Sequence, residues 1–129
     1  AIMKIASARI LVVDDEPVML KYVTDTLRRL GIQSIETCSD GEDALQTMAS
    51  FKPDLVLTDI HMKPMGGLEF VRLLRSAPNS ALGNTKVIFM SADASTETLG
   101  ATLPLGAHGY IVKPPRLETL KAKLELALG

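Results

Sequence analysis

The sequence predicts an α/β fold of five βα units around a mainly parallel sheet, and three observations carry that prediction. Strand-like and helix-like segments alternate from end to end. The strand-like run Ile10-Val13 is unbroken and apolar, as expected of a strand covered by helices on both faces. Four runs end in polar residues with chemistry: Asp14-Asp15 after Ile10-Val13, Asp59 after Leu55-Thr58, Ser91 after Val87-Met90, and Lys113 after Tyr110-Val112. In parallel strands these ends share one edge, where open α/β sheets bind their ligands.

The chain of 129 residues, 47% hydrophobic and 22% charged, fits one compact domain. We expect that domain to run from residue 7 to 129, with residues 1–6 as a loose N-terminal tail. No apolar stretch approaches the roughly 18 residues of a membrane helix. A net charge of −1 with scattered basic residues offers no face for nucleic acid. The single Cys38 has no partner for an internal disulfide, and the N-terminus lacks the zones of a secretory signal, so a cytoplasmic protein is expected.

In order along the chain, Ile10-Val13 is the first strand. Pro17 suits the first turn of a helix, Val18, Tyr22, Val23, Leu27 and Leu30 follow at helical spacing, and Gly31 ends it. The short, partly polar Gln33-Thr37 is expected at a sheet edge. Ser39 with Glu42 reads as a capping box opening a second helix through Met48. Pro53 and Asp54 precede the central strand Leu55-Thr58. A third helix, Gly67 to Arg75, turns Leu68, Val71 and Leu74 inward, and Ser76-Thr85 reads as a surface loop. After Val87-Met90, a fourth helix within Ser95-Leu103 is weak on propensity, because it holds three threonines and Gly100. It is expected to be the most mobile helix. Pro115 opens a fifth helix with Leu117, Leu120, Leu124 and Leu128 on one stripe.

Asp14, Asp15 and Asp59 form a set of hard oxygen donors that would repel one another without a cation. Magnesium fits, since it takes one or two carboxylates, keeps waters and leaves positions for phosphate oxygens. Lys113 can place a point charge on a phosphoryl oxygen and the Ser91 hydroxyl can donate to another. A carboxylate is a competent nucleophile toward phosphorus, and Asp59, alone at the end of the central strand, is the candidate.

On Ile10-Leu11-Val12-Val13-Asp14-Asp15-Glu16-Pro17, Thr58-Asp59-Ile60-His61-Met62, Met65-Gly66-Gly67-Leu68-Glu69, Ser91-Ala92 and Gly106-Ala107-His108-Gly109-Tyr110-Ile111-Val112-Lys113-Pro114, the chain closely resembles the receiver domain of two-component response regulators. The resemblance implies a flavodoxin-like sheet of order 2-1-3-4-5. It implies that Asp59 accepts a phosphoryl group from a phosphohistidine of a sensor kinase or phosphotransfer protein, or from a small phosphodonor. By the same resemblance, Asp14, Asp15, Asp59 and the backbone carbonyl of His61 bind magnesium, and Ser91 and Tyr110 form the switch pair. A cis bond before Pro114 is also implied. Such a protein catalyses only its own phosphorylation and dephosphorylation and is not a turnover enzyme. Its output face is the fourth helix, fifth strand and fifth helix, toward a downstream protein that the sequence does not name. His61 and Asp93, two residues beyond Asp59 and Ser91, are further candidates for tuning phosphate lifetime. The chain departs from the family where Lys63 stands in place of a common proline and Gly66 in place of Asp or Asn, so the loop after Asp59 is open to a different path.

A chain ending with the fifth helix favours a single-domain regulator of the chemotaxis or phosphorelay type, monomeric or dimerising on phosphorylation. A receiver fragment of a longer transcription factor or enzyme is the alternative. A magnesium-dependent phosphatase with an aspartyl nucleophile is a weaker rival, because the position two after Asp59 holds His61 and not a second acid.

Overall fold

The computed structural model describes residues 4–129. Five strands, β1 (Arg9–Val13), β2 (Ser34–Cys38), β3 (Leu55–Asp59), β4 (Lys86–Ser91) and β5 (Gly109–Val112), form one all-parallel sheet of order β2-β1-β3-β4-β5. This is the flavodoxin-like order the resemblance implied. Six helices occur among the described residues: α1 (Pro17–Arg29), α2 (Gly41–Phe51), α3 (Gly67–Arg75), α4 (Ser80–Gly83), α5 (Thr96–Thr102) and α6 (Leu117–Leu128). The fourth and fifth helices expected from the sequence are therefore α5 and α6.

The unbroken apolar strands are explained by a core on each face of the sheet. Ile10, Val12, Leu55, Leu57, Ile88 and Met90 point to one side and pack with Val23 and Leu27 of α1 and Leu120, Leu124 and Leu128 of α6. Leu11, Val13, Val56, Val87 and Phe89 point to the other and pack with Ala44 and Met48 of α2 and Phe70, Val71 and Leu74 of α3. This is period-two alternation with both faces apolar. At β1, β3 and β4 every strand residue beyond the first is buried. β2 lies at the edge, with Glu36 and Thr37 exposed, as its polarity suggested.

Several local expectations are corrected. Residues 1–3 of the expected tail lie outside the described residues, but Ile5–Ser7 form a 3-10 turn and Ile5 packs on the core. The α1 stripe runs through Met19, Leu20, Val23, Leu27 and Leu30, whereas Val18 is 83% exposed and the Tyr22 hydroxyl donates to the Pro115 carbonyl. The second helix is capped by Asp40, not Ser39: its carboxylate accepts from the Glu42 and Asp43 backbone N–H groups, and the helix continues to Phe51. An aspartate one residue later competes better, because its charged oxygen accepts two bonds. The Ser76-Thr85 stretch contains α4, one turn capped by Asn79. Pro115 precedes the N-cap Arg116 and does not begin α6. Gly31, at φ +89°, ends α1 as expected.

Candidate functional site

At the C-terminal edge of the sheet, β1 delivers Asp14 and Asp15, β3 delivers Asp59, β4 delivers Ser91 and β5 delivers Lys113. Adjacency follows from register: Val13 pairs with Thr58, Asp59 with Met90 and Ser91 with Val112, so each strand hands its final polar residue to the same cleft. Asp14 is fully buried and Asp59 nearly so.

Lys113 reaches the centre of this cleft. Its Nζ lies 2.7 Å from Asp14 Oδ2, 3.2 Å from Asp59 Oδ2 and 3.3 Å from Glu16 Oε1, with a side chain only 6% exposed. It donates hydrogen bonds to Asp59 and Glu16, while the contact with Asp14 is an ion pair without that alignment. The peptide bond after it, to Pro114, is cis, as is Lys63–Pro64. Burial alone would lower the Lys113 pKa, but the Asp14 and Asp59 carboxylates outweigh it and raise the value. Burial raises the Asp59 carboxyl, and the negative charge of Asp14 adds to that against the pull of Lys113.

The backbone fixes both buried carboxylates. Asp14 Oδ1 accepts from the Glu16 N–H at 2.9 Å, and Asp59 Oδ1 from the Ile60 N–H at 2.8 Å. The loop after Asp59 curls back so closely that a Cβ on Gly67 would sit 2.0 Å from the Asp59 carbonyl oxygen and one on Gly66 2.7 Å from that of Ile60. Gly66 thus occupies a position with no room for the Asp or Asn side chain common in the family. The loop is tied to α2 by the Gly41 N–H donating to the Met65 carbonyl.

Asp14, Asp15, Glu16 and Asp59 each offer a carboxylate oxygen within 4.8 Å of the others. Asp14 Oδ2 is buried without a hydrogen-bond partner among the described residues. Four hard oxygen donors gathered this closely, three of them paired with a single ammonium, fit a magnesium ion. Glu16 was not singled out from the sequence; its place directly after Asp14-Asp15 was the available signal.

The remaining candidates surround Asp93. The Ser91 hydroxyl oxygen accepts from the Asp93 N–H at 3.0 Å, and the Tyr110 hydroxyl donates to the Asp93 carbonyl. Tyr110 is half-buried against the α2–α3 side of the core. The exposed His61 places Nε2 3.7 Å from Asp93 Oδ2. The Asp93 carboxyl is lowered to about 2, mainly by the Thr98 hydroxyl and then by Ser95.

No helix among the described residues is long and apolar enough to cross a membrane. Comparison with known proteins places this geometry. The chain is 34% identical over 117 residues to chemotaxis protein CheY-3 of Vibrio cholerae, covering 91% of this chain and 88% of that protein. It is 29% identical over 121 residues to the probable chemotaxis protein CheY of Rhizobium etli, covering 94% and 92%. Among solved structures it resembles the chemotaxis response regulator CheY4 of Vibrio cholerae, at a TM-score of 0.83 and 32% identity over 94% of this chain and 98% of that one. A family model described as the response regulator receiver domain matches residues 10–125. With four strand ends converging on one acidic cleft and that match spanning nearly its whole length, this chain belongs to the response regulator receiver domain family.

Proposed function

We propose that this receiver is a phosphorylation-dependent signalling switch in which Asp59 accepts a phosphoryl group from a phosphohistidine of a sensor kinase or phosphotransfer protein. The observation that carries the reading is Lys113 Nζ held between the buried oxygens Asp14 Oδ2 and Asp59 Oδ2. Asp14, Asp15 and Asp59, with the His61 carbonyl, would hold magnesium. When bound, the ion supplies positive charge to the equatorial oxygens of the transferring group.

The Asp59 carboxylate oxygen attacks phosphorus; an O–P bond forms as the N–P bond of the donor breaks, and the imidazole leaves with the electron pair. The Ile60 N–H on Oδ1 and Lys113 on Oδ2 fix the carboxylate plane for that approach. Lys113 neutralises one oxygen of the incoming group, and Ser91 donates to another once its hydroxyl turns from the Asp93 N–H. In hydrolysis, water attacks phosphorus, its proton passes to solvent, the O–P bond to Asp59 breaks, and phosphate leaves. His61 and Asp93 at the rim tune how readily that water enters. The protein is a phosphoacceptor and not a turnover enzyme.

The output face is α5, β5 and α6. It includes a recess of about 340 Å³ lined by Leu99, Leu103, Ala107 and Tyr110, with Leu103 75% exposed. Incubation with acetyl phosphate and magnesium, followed by intact mass and peptide mapping, tests the reading. One phosphoryl group on Asp59, absent without magnesium and in Asp59→Asn, is expected. No magnesium-dependent modification of Asp59 rejects it. Multiple-turnover phosphomonoester hydrolysis that survives Asp59→Asn points instead to a phosphatase.

A further inference from the structure

Helix α5 is fastened to the domain in an unusual way. Its only buried residue is Thr102, and a Cβ added at Gly100 would meet nothing within 4 Å. With so little packing, its position depends on polar anchors at its two ends. At the C-terminal end, Arg75 of α3 donates to the carbonyls of Leu105 and Gly106 in the 3-10 turn that follows. At the other end the Thr98 hydroxyl donates to Asp93 Oδ2 at 2.6 Å.

The second anchor leads directly into the cleft. Asp93 holds Ser91 through its N–H and Tyr110 through its carbonyl. Its carboxylate also accepts from the Ser95 N–H at 2.9 Å and faces His61 Nε2. Ser95 reaches Asp93 only through its backbone N–H, while its hydroxyl oxygen caps α5 by accepting from the Thr98 N–H at 3.2 Å. Thr98 lies inside α5 and reaches out of the helix to Asp93, while accepting from the Ser95 hydroxyl at 2.9 Å. Threonine is a poor helix former, so at this half-exposed position propensity does not account for it.

We propose that Thr98 is the positioning residue that couples α5 to the phosphoryl-accepting cleft, its hydroxyl making the Ser91–Asp93 segment and the first half of α5 move as one unit. This deepens the proposed function and rests on it: when Ser91 turns toward a phosphoryl group, Asp93 shifts and Thr98 carries the shift into α5. Without the hydroxyl, Asp59 still takes its ligand but α5 no longer responds. Such coupling is a free energy shared between two places, and one charge-assisted hydrogen bond is enough to carry several-fold of it.

The experiment uses magnesium with beryllium fluoride as a stand-in for the phosphoryl group. Binding is read by fluorine NMR and the response of α5 by amide hydrogen exchange. Wild type is expected to bind and to change exchange across α5. Thr98→Ser keeps the hydroxyl and is expected to stay within about twofold of wild type. Thr98→Val and Thr98→Ala, the second a better helix former, are expected to bind within about twofold yet to show an α5 response smaller by at least about fivefold. A full α5 response in Thr98→Val and Thr98→Ala overturns the proposal, as does loss of the response in Thr98→Ser or a wild-type complex whose α5 does not respond. Failure of wild type to bind beryllium fluoride at all overturns the switch reading as well, which separates the two failures.

Discussion

The Lys113 ammonium lies 2.7 Å from Asp14 Oδ2, an oxygen that is fully buried and lacks a hydrogen bond. One cation thus pairs with three carboxylates, and among the described residues it is the only basic group paired with Asp14 and Asp59. Lys113→Met leaves both buried carboxylates without it. In chelator, the variant is expected to lose about 3 kcal/mol, the low end for breaking a buried pair. Magnesium should restore more stability to Lys113→Met than it adds to wild type, because the ion no longer competes with the ammonium. Urea unfolding with and without magnesium checks this, and equal magnesium gains in both proteins would count against it.

Gly67 bears on the same site through shape. A methyl group there would sit 2.0 Å from the carbonyl oxygen of Asp59, a contact with backbone that no rotamer relieves. Gly67→Ala is therefore expected to destabilise the domain by about 3 kcal/mol, the upper part of the usual range for overpacking, and to displace Asp59. Denaturant unfolding and the yield of phosphorylated Asp59 should fall together; a near-neutral variant would show that the loop has freedom to move away.

Asp93 supplies a pH prediction. Its carboxyl, lowered from 3.8 to about 2 chiefly by the Thr98 hydroxyl, ionises more readily in the folded protein than in the unfolded chain. Its contribution to stability is therefore present above 3.8 and is lost as pH falls through about 2. Carbon NMR of the side-chain carboxyl should give a midpoint near 2, moved upward in Thr98→Val. A wild-type midpoint at 3.8 would mean that the Thr98 bond does not persist in solution.

Arg75 has no carboxylate partner among the described residues and instead donates to the carbonyls of Gly83, Thr85, Leu105 and Gly106, while burial lowers its pKa. A lysine keeps the charge but lacks the planar fork that meets carbonyls from two loops. Arg75→Lys is expected to cost at least about 2 kcal/mol, since it loses more than one hydrogen bond of a kind that contributes about 1.5 to 3 kcal/mol. Thermal unfolding measures the loss, and hydrogen exchange should place it in residues 83–85 and 105–106.

The sheet and the cleft were legible in the linear chain because both depend on short-range pattern. Apolar runs such as Ile10-Val13, covered on both faces, define buried parallel strands, and parallel strands must bring Asp14, Asp59, Ser91 and Lys113 to one edge. Caps and stripes were less legible, because a single competing neighbour decides them. Asp40 displaced Ser39 with a charged acceptor, and Val18 lies outside although its spacing matched the stripe of α1. Tertiary structure alone decided that Glu16 joins the Lys113 cluster, that Arg75 clamps two loops, and that Asp93 holds Ser91, Tyr110 and Thr98 together. These are contacts of side-chain tips and backbone groups in loops, among them Glu16–Lys113, Arg75–Leu105 and Asp93–Tyr110 between segments well apart in sequence. No periodicity records them, since they depend on where folding finally sets the loops.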